Sequence, residues 1–357
     1  MPQSRLAGGE RTLQSLVLVV VLILVAAPIL PILMQSVSDK PLYDGGGALS
    51  LGGYFRALGS ADFWSAVVNT GIFAVAATAI AQVIGVVTAV LVARTNLPGA
   101  RLVVNLMLWP IYVSHLVLAF GWIVAYGPSG FATLWVEQSL GWRPWELYSL
   151  TGLSVATGLS LAPLTFLYCL GAARTIDPAL EDAARLSGAG PFRTLAAITF
   201  PLLRPAIVTT TILNFVLALE LFSMPLLLAV PGGMHFLTTF IYVNGFEAAT
   251  PDHALVSAVA VLLILVVTVL VLVQMYLVGD GRRFVTVGGK AGRGRLLDLG
   301  AWRWPLGGLL GLYLFVAVVL LLGGLVARSV VSVLTPFVPF TEVFTWENYE
   351  TVFSYPA

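Results

Sequence analysis

Apolar residues in this chain run in long blocks rather than at the spacing of a half-buried helix or strand, and polar residues collect between the blocks. A helix needs about 20 apolar residues to cross the hydrocarbon layer of a bilayer. Seven blocks meet that length: Leu13–Val37, Ser65–Ala93, Leu102–Ala125, Tyr148–Ala173, Ile207–Val230, Ala254–Val278 and Pro305–Val333. Seven membrane-spanning helices are therefore expected. The first block continues through PILPIL and is too long for the apolar core of a cleaved leader, so it reads as a retained anchor. Phe131–Leu140 is too short to span and reads as an interfacial helix. Trp135, Trp142, Trp145 and Tyr148 cluster around the same outward connection, as aromatic residues do at the edge of a bilayer.

Composition agrees with a bilayer as solvent. Of 357 residues, 59% are hydrophobic and 10% charged, against roughly 45–50% and about 25% in soluble domains. A formal net charge of +1 offers no field for a nucleic acid. The single cysteine, Cys169, excludes an internal disulfide and a cysteine-based metal cluster, and its flanks (LTFLYCLG) place it inside an apolar helix as an inert thiol. With the N-terminus inside, one set of alternate connections holds 14 of the 18 Lys and Arg, and the other set holds only Lys40, Arg56, Arg143 and Arg328. Positive charge marks the cytoplasmic side, so the N-terminus and the loop Asp177–Pro205 are expected there.

That loop, IDPALEDAARLSGAGPFRTLAAITFPLLRPAI, carries the densest local signals in the chain. Asp177 is a candidate N-cap and Pro178 fits the first helical position. Glu181 and Asp182 follow near the positive helix end. Ala183, Ala184 and Leu186 offer a small apolar face, and Gly188, Gly190 and Pro191 stop the helix. A second stretch, Phe192–Phe200, precedes Pro201 and Pro205. Two short helices around a glycine turn make a compact knob that can seat in a groove of a cytoplasmic partner; an ordinary amphipathic loop helix is the plainer reading.

The spacing resembles the signature of permeases of binding-protein-dependent ABC importers: Glu-Ala-Ala, three residues, Gly, nine residues, Ile, one residue, Leu-Pro. Here Asp182-Ala183-Ala184 is followed by Gly188, then Ile198, Thr199 and Phe200-Pro201. Asp182 replaces Glu and Phe200 replaces Leu, and Glu181 leaves a second acid available to share the acidic contact. The resemblance covers roughly Leu13–Gly279. It implies an all-α polytopic membrane protein, a six-helix type I importer module plus a seventh helix, in the bacterial inner membrane. It also implies a cytoplasmic ATPase dimer gripped by this loop, a periplasmic substrate-binding protein and a second permease module, fused or separate. No cofactor is expected on this chain, ATP and Mg being held by the ATPase. The runs SMPLLLAVPGG, FLTTFIYVNGFEAATPDHALVSAVAVLLILVV and RRFVTVGGK resemble the ferric-iron branch, with thiamine importers as near relatives and polyamines or other small solutes open by the same mechanism.

An internal repeat is also legible. LSLGGYFRALGSADFW follows the first block and FTWENYETVFSYPA follows the seventh; aligning Tyr54 with Tyr349 gives an offset of 295. The chain then divides into a first module (1–279), a Gly- and Arg-rich cytoplasmic linker (280–303) and the opening of a second module (304–357). A fused two-module permease cut short would carry a second acidic loop at about position 477, by the same offset. A seventh anchoring helix with a periplasmic tail is the alternative.

Inside the blocks, Glu220 stands near the middle of Ile207–Val230. A carboxylate at that depth costs a few kcal/mol and should face a cavity or a partner. Glu220 and Asn214 are candidates for a translocation path or for a helix–helix hydrogen bond; six residues apart, they need not share a face. Pro225 is a candidate hinge. Asn69, Gln82 and Asn105 read as interhelical hydrogen-bonding groups. His115, His235 and His253 lack metal-ligand spacing. No phosphate loop occurs: Val287-Gly288-Gly289-Lys290 lacks the first glycine and the following Ser or Thr. No grouped Ser/His/Asp or paired carboxylates suggest an enzyme, and an ion-coupled carrier would need more intramembrane acids than Glu220.

Overall fold

The computed structural model describes residues 3–278 and 296–355. Most of the linker, with five of its six basic residues and the string Val287–Lys290, lies outside them. Among the described residues there is no sheet, only three isolated β-bridges. The helices are α1 (Gln3–Ser36), α2 (Gly52–Gly59), α3 (Ala61–Arg94), α4 (Ala100–Leu108), α5 (His115–Tyr126), α6 (Phe131–Leu140), α7 (Leu150–Thr175) and α8 (Pro178–Leu186). They continue as α9 (Pro191–Leu202), α10 (Arg204–Glu220), α11 (Ser223–Leu228), α12 (Leu237–Tyr242), α13 (His253–Val278), α14 (Gly300–Ser329), α15 (Phe340–Val343) and α16 (Glu347–Ser354). Among the described residues, six helical stretches are long and apolar enough to cross a membrane, and α9 with α10 makes a seventh if that bent pair is one span.

Two expected spans are corrected. Leu102–Ala125 is not continuous: α4 ends at Leu108, a 3₁₀ turn covers Trp109–Tyr112, and the chain restarts where the Ser114 hydroxyl accepts from the Val117 N–H. Pro110 has no N–H to continue the α ladder, and Ser114 supplies a new N-cap. The apolar stretch of spanning length here is His115–Leu140, in which α5 and the separate short helix α6 follow one another across a turn at 127–130. Ile207–Val230 is likewise divided, because α10 stops at Glu220 and α11 begins at Ser223.

The chain forms two compact units, one of Met1–Val67 with Thr239–Val269 and one of Val68–Thr238 with Leu270–Ala357. In the first, Gly53 lies against the Ala254 carbonyl, where any Cβ would collide. Arg56 grips Asp252 through Nε and Nη2 at 2.8 and 2.9 Å, and the same carboxylate accepts from the Leu255 N–H at the start of α13. Burial pushes the Asp252 carboxyl up, but hydrogen bonds from Arg56, Leu255 and Ala254, with the Arg56 charge, outweigh it and hold the group below its ordinary value.

In the second unit, the described parts of α3 and α7 approach closely through two glycines. A Cβ at Gly85 would stand 2.7 Å from the Ala162 carbonyl oxygen, and one at Gly158 2.8 Å from that of Ala77. Small residues let backbones meet in this way where lipid supplies no hydrophobic force between helices. Gln82 bonds Thr210 Oγ1 at 3.0 Å, and Asn214 Nδ2 donates to Thr165 Oγ1 at 2.7 Å, tying α3, α7 and α10. Helix α14 packs on α5 and the start of α6: Gly121 faces Leu321, Gly324 faces Phe131, and the Tyr126 hydroxyl donates to the Val316 carbonyl at 2.8 Å. That carbonyl belongs to a π-helical turn, Phe315–Val319.

The stretches that follow α1 and α14 have similar local structure. After α1, Ser38 bridges Leu49 and α2 follows; after α14, Val331 bridges Phe344 and α16 follows. The Tyr54 hydroxyl bonds Ser36 at 3.0 Å, and the Tyr349 hydroxyl bonds Ser329 at 2.9 Å. Helix α2 maps onto α16 end to end at the offset of 295.

Candidate functional site: the loop between α7 and α10

Local chemistry builds this loop as expected. The Asp177 carboxylate accepts from the Ala179 N–H at 2.9 Å, and Pro178 occupies the first turn of α8. Gly188 ends the helix with φ +82°, the left-handed conformation that glycine takes without steric cost. The Gly188 and Ala189 N–H groups return to the Arg185 and Ala184 carbonyls. Beyond Gly190, α9 begins at Pro191 and contains a π-helical turn over Leu195–Thr199. Leu203 then marks a 66° bend between α9 and α10, with Pro201 and Pro205 on either side as its cause.

The surface of α8 is unusual. Asp182 and Ala183 are exposed and Leu186 is 90% exposed. Ala179, Ala183 and Leu186 share one face by helical spacing, and each is open to solvent. Asp182 makes only a loose surface pair with Arg185, at 3.6 Å. Glu181 is the one buried residue of α8. Its Oε1 accepts from Arg94 Nε at 2.9 Å and from Thr199 Oγ1 at 2.8 Å, and its Oε2 accepts from Arg94 Nη2 at 2.6 Å. Arg94 also reaches the Ile176 carbonyl. Glu181 is thus turned inward with both oxygens engaged, which corrects the expectation that it shares an acidic surface contact. Removing one member of such a buried pair costs about 3–5 kcal/mol, because the other charge is left unpaired. Ala184 and, further on, Ile198, Phe200 and Pro201 are half-buried, shaping the loop from beneath.

The two candidate path residues are not brought together. Glu220 is exposed at the C-terminal end of α10, not in mid-span, while Asn214 is fully buried and bonded to Thr165. The chain breaks at Leu221–Phe222, ahead of Pro225, which lies inside α11, and the 66° bend between α9 and α10 lies at Leu203. A cavity of about 710 Å³ in the second unit, walled by Trp122, Tyr126, Trp135 and Trp145, is lined by neither residue. Gln82 donates to Thr210 between α3 and α10, as an interhelical group does, whereas Asn69 donates to the carbonyl of the loop residue His235 and Asn105 is exposed. Sequence reasoning missed Arg94 and Thr199. Arg94 lies 87 residues from Glu181, and its only sequence signal is a lone cation at the end of an apolar block.

Residues 85–283, more than half of the chain and including this whole loop, match the family of binding-protein-dependent transport system inner membrane components. The chain belongs to that family. Members are transport components rather than enzymes. Within this family of permeases, the chain is 32% identical over 193 residues to the ferric transport system permease protein FbpB of Actinobacillus pleuropneumoniae, covering 53% of this chain and 27% of that protein. It is 29% identical over 208 residues to a putative ferric transport system permease protein, FbpB 1, of Haemophilus influenzae, covering 57% and 32%. The matched region therefore spans about a third or less of those two relatives. The trehalose/maltose transport system permease protein MalF of Thermococcus litoralis is 25% identical over 242 residues, covering 66% and 81%. Among solved structures, a bacterial alginate ABC transporter, in complex with a periplasmic protein carrying an alginate pentasaccharide, superposes with a TM-score of 0.64 at 19% identity. The superposition covers 81% of this chain and 99% of that one and shows a shared fold. The permease is a multi-pass inner-membrane protein.

Proposed function

We propose that this permease carries ferric iron across the inner membrane, receiving it from a periplasmic binding protein and drawing energy from a separate ATPase dimer that seats on α8 and α9. The observation that carries the reading is the face of α8. Leu186, Ala183 and Asp182 stand exposed at the signature positions of the loop, while the helix is anchored from below. A small apolar knob ringed by charge fits a groove on a soluble partner. Iron is favoured over thiamine, polyamine or a sugar by the similarity to the two ferric permeases. The N-terminus is cytoplasmic in this reading, since the loop and 14 of the 18 basic residues share its side.

The proposed layout is a first module over 1–279, a linker over 280–303 and the opening of a second module over 304–357. The matching hairpins and Tyr–Ser hydrogen bonds that follow α1 and α14 support it. Two modules enclose the path, and one holds half of the coupling surface.

Co-purification from solubilised membranes tests the central claim. The intact permease is expected to retain its ATPase, and Gly188→Arg is expected to lose it, because a side chain there is strained at φ +82° and enlarges the knob. ATP-dependent uptake of ferric iron should fail with the same variant. Uptake that persists without the ATPase and collapses with the proton gradient would instead make the protein a secondary carrier.

A further inference from the structure

Helix α8 is joined to the body of its unit by a charge. Its one buried side chain is Glu181, and no apolar residue of α8 is buried. Apolar contacts are non-directional and would let so short a helix slide. A guanidinium meeting a carboxylate through two parallel hydrogen bonds fixes both distance and orientation. The Glu181 carboxylate also joins two elements that lead away in different directions. Arg94 is the last residue of α3. Thr199 closes the π-helical turn of α9, four residues ahead of the 66° bend into α10. The backbone carbonyl of Arg94 further accepts from the Leu297 N–H, and Asn96 bonds both Asp298 and the Leu299 N–H, so the segment entering α14 is fastened at the same point.

We propose that Glu181 is the mechanical junction of the permease. Displacement of α8 passes through this one carboxylate to α3 by way of Arg94 and to the α9–α10 bend by way of Thr199. Arg94 and Thr199 are positioning residues: neither touches the ATPase, and each receives the movement of the loop. The proposal rests on the coupling reading above and moves Glu181 from the docking surface to the interior.

The test is hydrogen–deuterium exchange on the assembled permease–ATPase complex, with ATP and vanadate or without nucleotide. In the native complex, nucleotide is expected to alter exchange over 179–187 and, with it, over 87–94 and 203–210. Glu181→Gln keeps the shape and removes the charge. It should leave the response of 179–187 within about twofold while reducing both remote responses about fivefold or more. Thr199→Val, which removes one hydrogen bond and leaves the Arg94–Glu181 pair in place, should reduce the response of 203–210 alone. Remote responses in Glu181→Gln equal to the native ones overturn the junction, as does loss of the response over 179–187 itself. A native permease that retains no ATPase overturns the coupling reading instead, so the two failures are distinguishable.

Discussion

Leu186 is 90% exposed at the end of α8, with Ala183 and Ala179 open on the same face. Nothing in its own unit rests on that side chain, so Leu186→Glu is expected to leave folding within about 0.5 kcal/mol, as surface changes do. ATPase co-purification should fall at least tenfold, and a thermal melt of the purified permease checks the first half of the claim. Asp252 makes a prediction about pH. Its folded-state pKa lies below the ordinary carboxylate value of 3.8, so it contributes stability above that value and loses it as pH falls through the depressed one. Protection of the amides of 52–59 and 253–256, corrected for the intrinsic pH dependence of exchange, should therefore hold at pH 7 and fall as the pH drops below 3.8, and Asp252→Asn should lower it at both. Much of the loop was legible residue by residue, since Asp177, Pro178 and Gly188 act on backbone within a few positions. The Arg94–Glu181–Thr199 cluster was not, because it joins groups far apart in sequence and an inward carboxylate looks the same on paper as an outward one.

At the scale of helices, the apolar blocks foretold most of the spans within a few residues, because length and hydropathy are summed properties. Breaks inside blocks were harder. Trp109–Tyr112 and Leu221–Phe222 are as apolar as their surroundings, and only hydrogen-bonding geometry separates them from helix. Glu220 was misplaced for the same reason: mid-block became end-of-helix once α10 stopped. Close approach was equally hidden, since Gly85 and Gly158 resemble other glycines until the backbones are seen to touch. Gly85→Leu and Gly158→Leu should each force α3 and α7 apart at a cost of about 1–3 kcal/mol. Gly71→Ala, in the same α3 with open space around it, should cost nothing. Melting temperatures in detergent distinguish the three.

For the whole molecule, the family assignment was readable from one loop, while the division into two modules rested on an alignment of a few residues. The structure adds matched hydrogen bonds, and they can be weighed against each other. Tyr54→Phe and Tyr349→Phe each remove one hydroxyl bond of about 1 kcal/mol. If the two hairpins are copies of one device, the Ser50 amide, bonded to Val37, and the Thr345 amide, bonded to Val330, should speed their exchange by similar factors of about five. A large effect at one and none at the other would argue against equivalence.

The two hairpins also differ in one respect. Between the bridged residues the second loop is two residues longer than the first, Val331 to Phe344 against Ser38 to Leu49, although the frame on either side is kept. Lengthening a loop whose ends are already pinned costs little. Evolution could therefore rewrite these tips freely without disturbing the scaffold beneath. Two like frames with unlike tips would let each hairpin evolve its own contact while its hydrogen-bonded base stays the same.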